Sequence, residues 1–132
     1  MLITSVTIRM IDNKETGMLG VCSFVFDEMF SVHDVKIIER EKTFLAMPAK
    51  KTPSGPIRDI AHPINAQVRV KLEELVLALY SATQVIGSSY QRFVCVNTDR
   101  DSLLEQQVSD FEAYESVAMG EKLYNAVASA EM

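Results

Sequence analysis

From residue 2 to residue 47 the chain runs through β-like stretches joined by polar connections too short to carry a crossover, and this pattern constrains the fold more than any other feature. Parallel strands need connections of roughly a dozen residues or more, so short connections favour antiparallel hairpins. In residues 2–11, Val6, Ile8 and Met10 fall on one face and Thr7 and Arg9 on the other. That period of two predicts a half-buried strand. A polar turn follows at 12–17, and residues 18–26, β-branched and aromatic, form the second strand. Asp27 and Glu28 turn the chain; 30–38 is a third strand and 44–47 a short fourth.

The next nine residues, Pro48-Ala49-Lys50-Lys51-Thr52-Pro53-Ser54-Gly55-Pro56, hold three prolines and a glycine and are expected to form an irregular loop. Residues 57–61 have the composition of a brief strand before Pro63. Asn65 is a good helix N-cap, and after it Val68, Leu72, Leu75, Val76, Leu79 and Ala82 recur at helical spacing. Past Ser81 the pattern is less decisive. Residues 90–96 have strand composition but also fit the end of the helix. Ser102 and Glu105 form a capping box that opens a helical pattern through Leu104, Val108 and Phe111. Val117, Met119, Leu123, Ala126 and Val127 continue it. The predicted class is α+β: a small antiparallel sheet, a C-terminal helix packed on it, and an additional helical tail. Residues 1–80 are expected to be the core domain and 81–132 a mostly helical, acidic extension.

With 132 residues, 48% of them hydrophobic, the chain suits one domain with one core. No apolar run approaches the roughly 20 residues of a membrane helix, and the first residues lack a basic, then apolar, leader pattern. A cytoplasmic protein without a membrane partner is expected. Cys22 and Cys95 each lie in an apolar run and read as buried thiols of a reducing compartment, without zinc-ligand spacing. The net charge is −5 but unevenly spread: residues 36–71 hold eight basic residues against three acidic, and 72–132 hold three basic against ten acidic. A basic centre between acidic flanks points to an electrostatic partner.

Both histidines fall near aspartates, in Val32-His33-Asp34 and Asp59-Ile60-Ala61-His62. His33, Asp34, Asp59 and His62 have the residue types of a metal site, and equally of hydrogen-bonded structural groups. Adjacent strand residues point to opposite faces, so the structural reading of His33, Asp59 and His62 is adopted and no metal is expected. The chain lacks a nucleophile elbow, a phosphate loop and a dinucleotide fingerprint. Neither an enzyme, a cofactor nor a small-molecule substrate is expected. Lys50 and Lys51 lie on the proline-stiffened loop beside Thr52 and Ser54, chemistry suited to a sugar-phosphate backbone.

Three linked stretches carry a resemblance. Residues 30–38 (Phe-Ser-Val-His-Asp-Val-Lys-Ile-Ile), 44–55 (Phe-Leu-Ala-Met-Pro-Ala-Lys-Lys-Thr-Pro-Ser-Gly) and 58–65 (Arg-Asp-Ile-Ala-His-Pro-Ile-Asn) resemble the stage V sporulation protein G family of bacteria, over about residues 1–80. The resemblance implies a regulator that binds DNA and also RNA, linked to septation, sporulation and gene expression, built as a homodimer joined through its sheet. The family's basic loop maps onto Lys50 and Lys51, and its arginine after the glycine turn onto Arg58. Where the family has Ser-Lys-Arg, this chain has Ala49-Lys50-Lys51, which keeps the charge and loses the bidentate fork. Lys50, Lys51, Thr52 and Arg58 are the expected nucleic-acid contacts, with Arg69 and Lys71 at the start of the helix beside them. The helix N-terminus after Asn65 adds a field favourable to an anion. The rival expectation is a protein–protein interaction module of septation or signalling that touches no nucleic acid.

Overall fold

The computed structural model describes residues 1–13 and 15–114. Among the described residues eight strands and one α-helix follow in order: β1 (Ile3–Asn13), β2 (Met18–Phe26), β3 (Phe30–Glu39), β4 (Thr43–Ala46), β5 (Ala49–Lys51), β6 (Ile57–Asp59), α1 (Ala66–Ile86), β7 (Tyr90–Cys95) and β8 (Phe111–Tyr114). Six strands form one sheet in the order β4-β3-β2-β1-β7-β8, and β5 and β6 form a separate two-stranded ribbon. Every described pairing is antiparallel.

The β1–β4 meander matches the period-two reading. Val6, Ile8, Cys22, Phe24, Val35, Ile37 and Leu45 are buried on one face, against Leu72, Leu75, Val76 and Leu79 of α1. The turn between β2 and β3 places Asp27 and Glu28 at φ of 51° and 54°, the left-handed conformation that mirror-image hairpin turns require. Asp34 is also left-handed, at φ 61°, where the β2–β3 register shifts and β3 bulges. Gly17 at φ 77° closes the β1–β2 turn, its N–H on the Asn13 carbonyl and its carbonyl taking the Glu39 N–H.

The α1 N-cap is as expected: Asn65 accepts from the Val68 N–H at 2.8 Å. At the other end Gly87 is left-handed, its N–H on the Thr83 carbonyl. The helix is tied to the sheet edge where Glu73 accepts the Leu45 N–H at 3.2 Å. No helix among the described residues is long and apolar enough to cross a membrane.

Two expectations are corrected. The proline-rich stretch is not wholly irregular. Pro48 and Pro53 flank residues 49–51, whose own N–H groups remain free to pair with residues 57–59. The second correction concerns residues 102–111. Before them the helix runs on to Ile86, and 90–95 form a strand that pairs with β1, one of the two readings that their composition allows. The expected Ser102–Glu105 capping box does not form: the Ser102 hydroxyl accepts the Leu104 N–H and Glu105 takes the Asp101 N–H, and only a single 3-10 turn, Leu103–Glu105, opens there, followed by another at Val108–Asp110. Phe111 starts β8.

Tertiary bonds account for that second outcome. The Gln106 amide is spent on β1, and the Asp110 carboxylate takes the Gln107 N–H, the Asn97 amide and a bidentate pair from Arg100 at 2.9 Å. These partners hold the segment against a helix that local spacing alone favours. The helical pattern from Val117 to Val127 lies outside the described residues.

Candidate nucleic-acid interface

The ribbon positions the basic loop. In its register Lys50 faces Arg58, Lys51 faces Ile57 and Ala49 faces Asp59. Side chains alternate along a strand, so Lys50 and Arg58 share one face, while Lys51 shares the other with Ile57, Ala49 and Asp59. All six are exposed. Lys50, Lys51 and Arg58 make no ion pair or side-chain hydrogen bond among the described residues.

The turn between the strands is internally bonded. The Thr52 N–H and hydroxyl both donate to the Pro56 carbonyl, at 3.0 and 2.8 Å, and the Gly55 N–H donates to the Thr52 carbonyl. The Thr52 hydroxyl also lies 3.2 Å from that of Ser54. With its hydrogen committed to Pro56, Thr52 Oγ1 accepts the Ser54 hydroxyl and fixes the tip, with Gly55 at φ 108°. The base of the ribbon is fastened where the Ile60 N–H donates to the Pro48 carbonyl at 2.7 Å.

The two helix candidates differ. Arg69 is half-buried near the N-terminus of α1, whose first turn holds no acidic residue. Lys71 is committed: its ammonium donates to the Gln106 carbonyl at 2.9 Å and pairs with Glu74 at 3.3 Å. The structure therefore brings Lys50 and Arg58 together and ties Lys71 to the C-terminal segment.

His33 and His62 are exposed. His33 Nε2 lies 3.1 Å from the Ser31 hydroxyl, and His62 Nδ1 lies 2.9 Å from the Pro63 carbonyl. Asp59 is exposed and its side chain has no partner among the described residues, so the structural role expected of it does not hold. No group of three or more His, Cys, Asp or Glu side chains among the described residues is placed to hold a metal ion. Both cysteines are free and buried, and burial pushes the Cys22 thiol up to about 12.

The residue-by-residue reading missed a groove of about 420 Å³ beside the ribbon. Phe24, Phe26, Phe30, Val32 and Met47 line it with the 60–63 segment that follows β6. Its only sequence signal is apolar residues at turn positions, of which Phe30 and Ile60 are each 68% exposed.

Comparison with known proteins bears on this arrangement. The SpoVG family model matches residues 1–82. A protein of Lachnospira eligens carrying the septation-protein name SpoVG is 48% identical over 87 residues, covering 65% of this chain and 98% of the relative. Relatives of the same name from Acetivibrio thermocellus and Caldanaerobacter subterraneus are 49% and 48% identical, over 83 and 90 residues, and 87% and 98% of their lengths are covered. The matched residues include β1 to β6 and most of α1, whereas β7 and β8 lie beyond them. The chain belongs to the SpoVG family.

Proposed function

We propose that this protein is a cytoplasmic, non-enzymatic regulator that binds DNA and RNA through the β5–β6 ribbon and acts in gene expression linked to septation and sporulation. The observation that carries the reading is the placement of Lys50 directly across from Arg58, both exposed and unpaired among the described residues. Like charges opposite one another destabilise a strand pair. An anion between them removes that repulsion, so the ribbon is better matched to a phosphate than to water. The septation names of the relatives agree with a role in that process.

One ribbon supplies few charges, and a two-fold homodimer supplies two sets at a fixed spacing. Binding to duplex DNA measured against salt tests the ribbon. Lys50→Ala with Arg58→Ala lowers the slope of log affinity on log salt by about two, one per lost phosphate contact. An unchanged slope rejects the reading.

A second reading is favoured by the apolar groove beside the ribbon. With Phe30 and Ile60 exposed at its rim, it offers an anchor site to a protein partner in septation. Retained partner capture by the Lys50→Ala, Arg58→Ala variant, without any nucleic-acid binding by the parent, selects it.

A further inference from the structure

Helix α1 covers one face of the six-stranded sheet. On the other face the strand register sets side chains in rows. Lys36, Val21, Arg9 and Tyr90 lie side by side across β3, β2, β1 and β7. In the next row Ser23, Thr7, Arg92 and Tyr114 cross β2, β1, β7 and β8. The small side chains of Ser23 and Thr7 belong to a shallow concavity of about 410 Å³, also lined by Arg9, Tyr90, Arg92 and His33. Tyr90 and Tyr114 are 60% and 42% exposed, and the Arg92 guanidinium is 5.0 Å from the centre of the Tyr114 ring.

We propose that this open face binds single-stranded nucleic acid, with bases stacked on Tyr90 and Tyr114 and phosphates held by Arg9, Lys36 and Arg92. Unpaired bases expose the π-faces that tyrosine stacks on, whereas a duplex keeps them covered by its own neighbours. A strand fixes each ring at a set spacing, so little freedom is lost on stacking. The short side chains of Ser23 and Thr7 leave a low floor within the second row, where a backbone can approach closely. Three basic residues face Asp34 and Glu112 here, so the patch is positive on a chain whose net charge is −5.

The site is separate from the ribbon. Tyr90, Arg92 and Tyr114 all lie beyond the residues the family model matches, so the face as a whole is a property of this longer chain.

The test compares a labelled oligouridylate with a duplex RNA of the same length, using the full chain. Tyr90→Thr and Tyr114→Thr, which keep a good strand former in place, each weaken oligouridylate binding roughly 5- to 150-fold and leave duplex binding unchanged. Tyr90→Phe retains the ring and the affinity. Arg92→Ala weakens binding and lowers the salt slope by about one. Lys50→Ala with Arg58→Ala separates the two sites: if it changes nothing while Tyr90→Thr still weakens oligouridylate binding, the ribbon reading fails and the sheet face stands. Equal losses on single strand and duplex overturn the proposal, as does unchanged oligouridylate affinity in both tyrosine variants. A fall in oligomeric mass in Tyr90→Thr without loss of oligouridylate affinity assigns the face to a second copy of the chain and likewise overturns it.

Discussion

Gln106 grips the backbone of Ile3 with both ends of its amide: Nε2 donates to the Ile3 carbonyl at 2.9 Å and Oε1 accepts the Ile3 N–H at 2.8 Å. Both residues are fully buried. Gln106→Ala leaves a buried donor and a buried acceptor without partners, each costing about 1–3 kcal/mol. Chemical denaturation is expected to show a loss of about 2–4 kcal/mol.

The ribbon makes a prediction in which stability and binding move in opposite directions. Arg58→Ala removes the like charge opposite Lys50 and leaves an exposed position. The free protein should gain roughly 0.2–1 kcal/mol or stay unchanged, while its affinity for duplex DNA falls. Thermal melts beside a binding titration check both directions.

Acid stability is expected to follow Asp110. Its hydrogen bonds from Arg100, and then from Gln107 and Asn97, hold its carboxyl down at about 2. A lowered folded value means that the ionised group stabilises the fold above the ordinary aspartate value of about 3.9. That contribution is lost as pH falls through about 2. Asp110→Asn therefore lowers the melting temperature near neutrality, and the gap to the parent closes as pH is taken below 4 towards 2. A pH series of melts reads the gap directly.

Gly17 sits at φ 77°, and a Cβ there would run into the Glu39 backbone carbonyl oxygen. Gly17→Ala should cost more than about 1 kcal/mol. Gly55→Ala meets open space and carries only the backbone strain of its φ of 108°. It should cost less than Gly17→Ala in the same denaturation experiment.

How far the sequence foretold the molecule depended on the range of the forces involved. The β1–β4 meander was legible because alternation, turn residues and burial all act within a few neighbours, and Asn65 was legible as a cap for the same reason. The charge of Lys50 and Arg58 is plain in the sequence, but only the ribbon register shows that they share a face without Lys51. Three prolines hid that ribbon because a strand of three residues fits between two of them. Residues 102–111 looked helical because spacing cannot reveal that Gln106 and Asp110 bond elsewhere. The Tyr90 and Tyr114 face was illegible for the same reason, since β7 pairs with β1 across more than 80 residues of chain.

That long-range pairing has a consequence for how the molecule comes into being. β1 lies inside the finished sheet, hydrogen-bonded to β2 on one side and β7 on the other. β2, β3 and β4 follow it closely, so a four-stranded meander can close early on the ribosome. β7 emerges only after the ribbon and all of α1 have been made. Until then the long β1 presents an open row of N–H and C=O groups, a template for any neighbouring strand. Translation thus leaves a window in which nascent chains are most prone to pair with one another, and the arrival of residues 90–95 ends it.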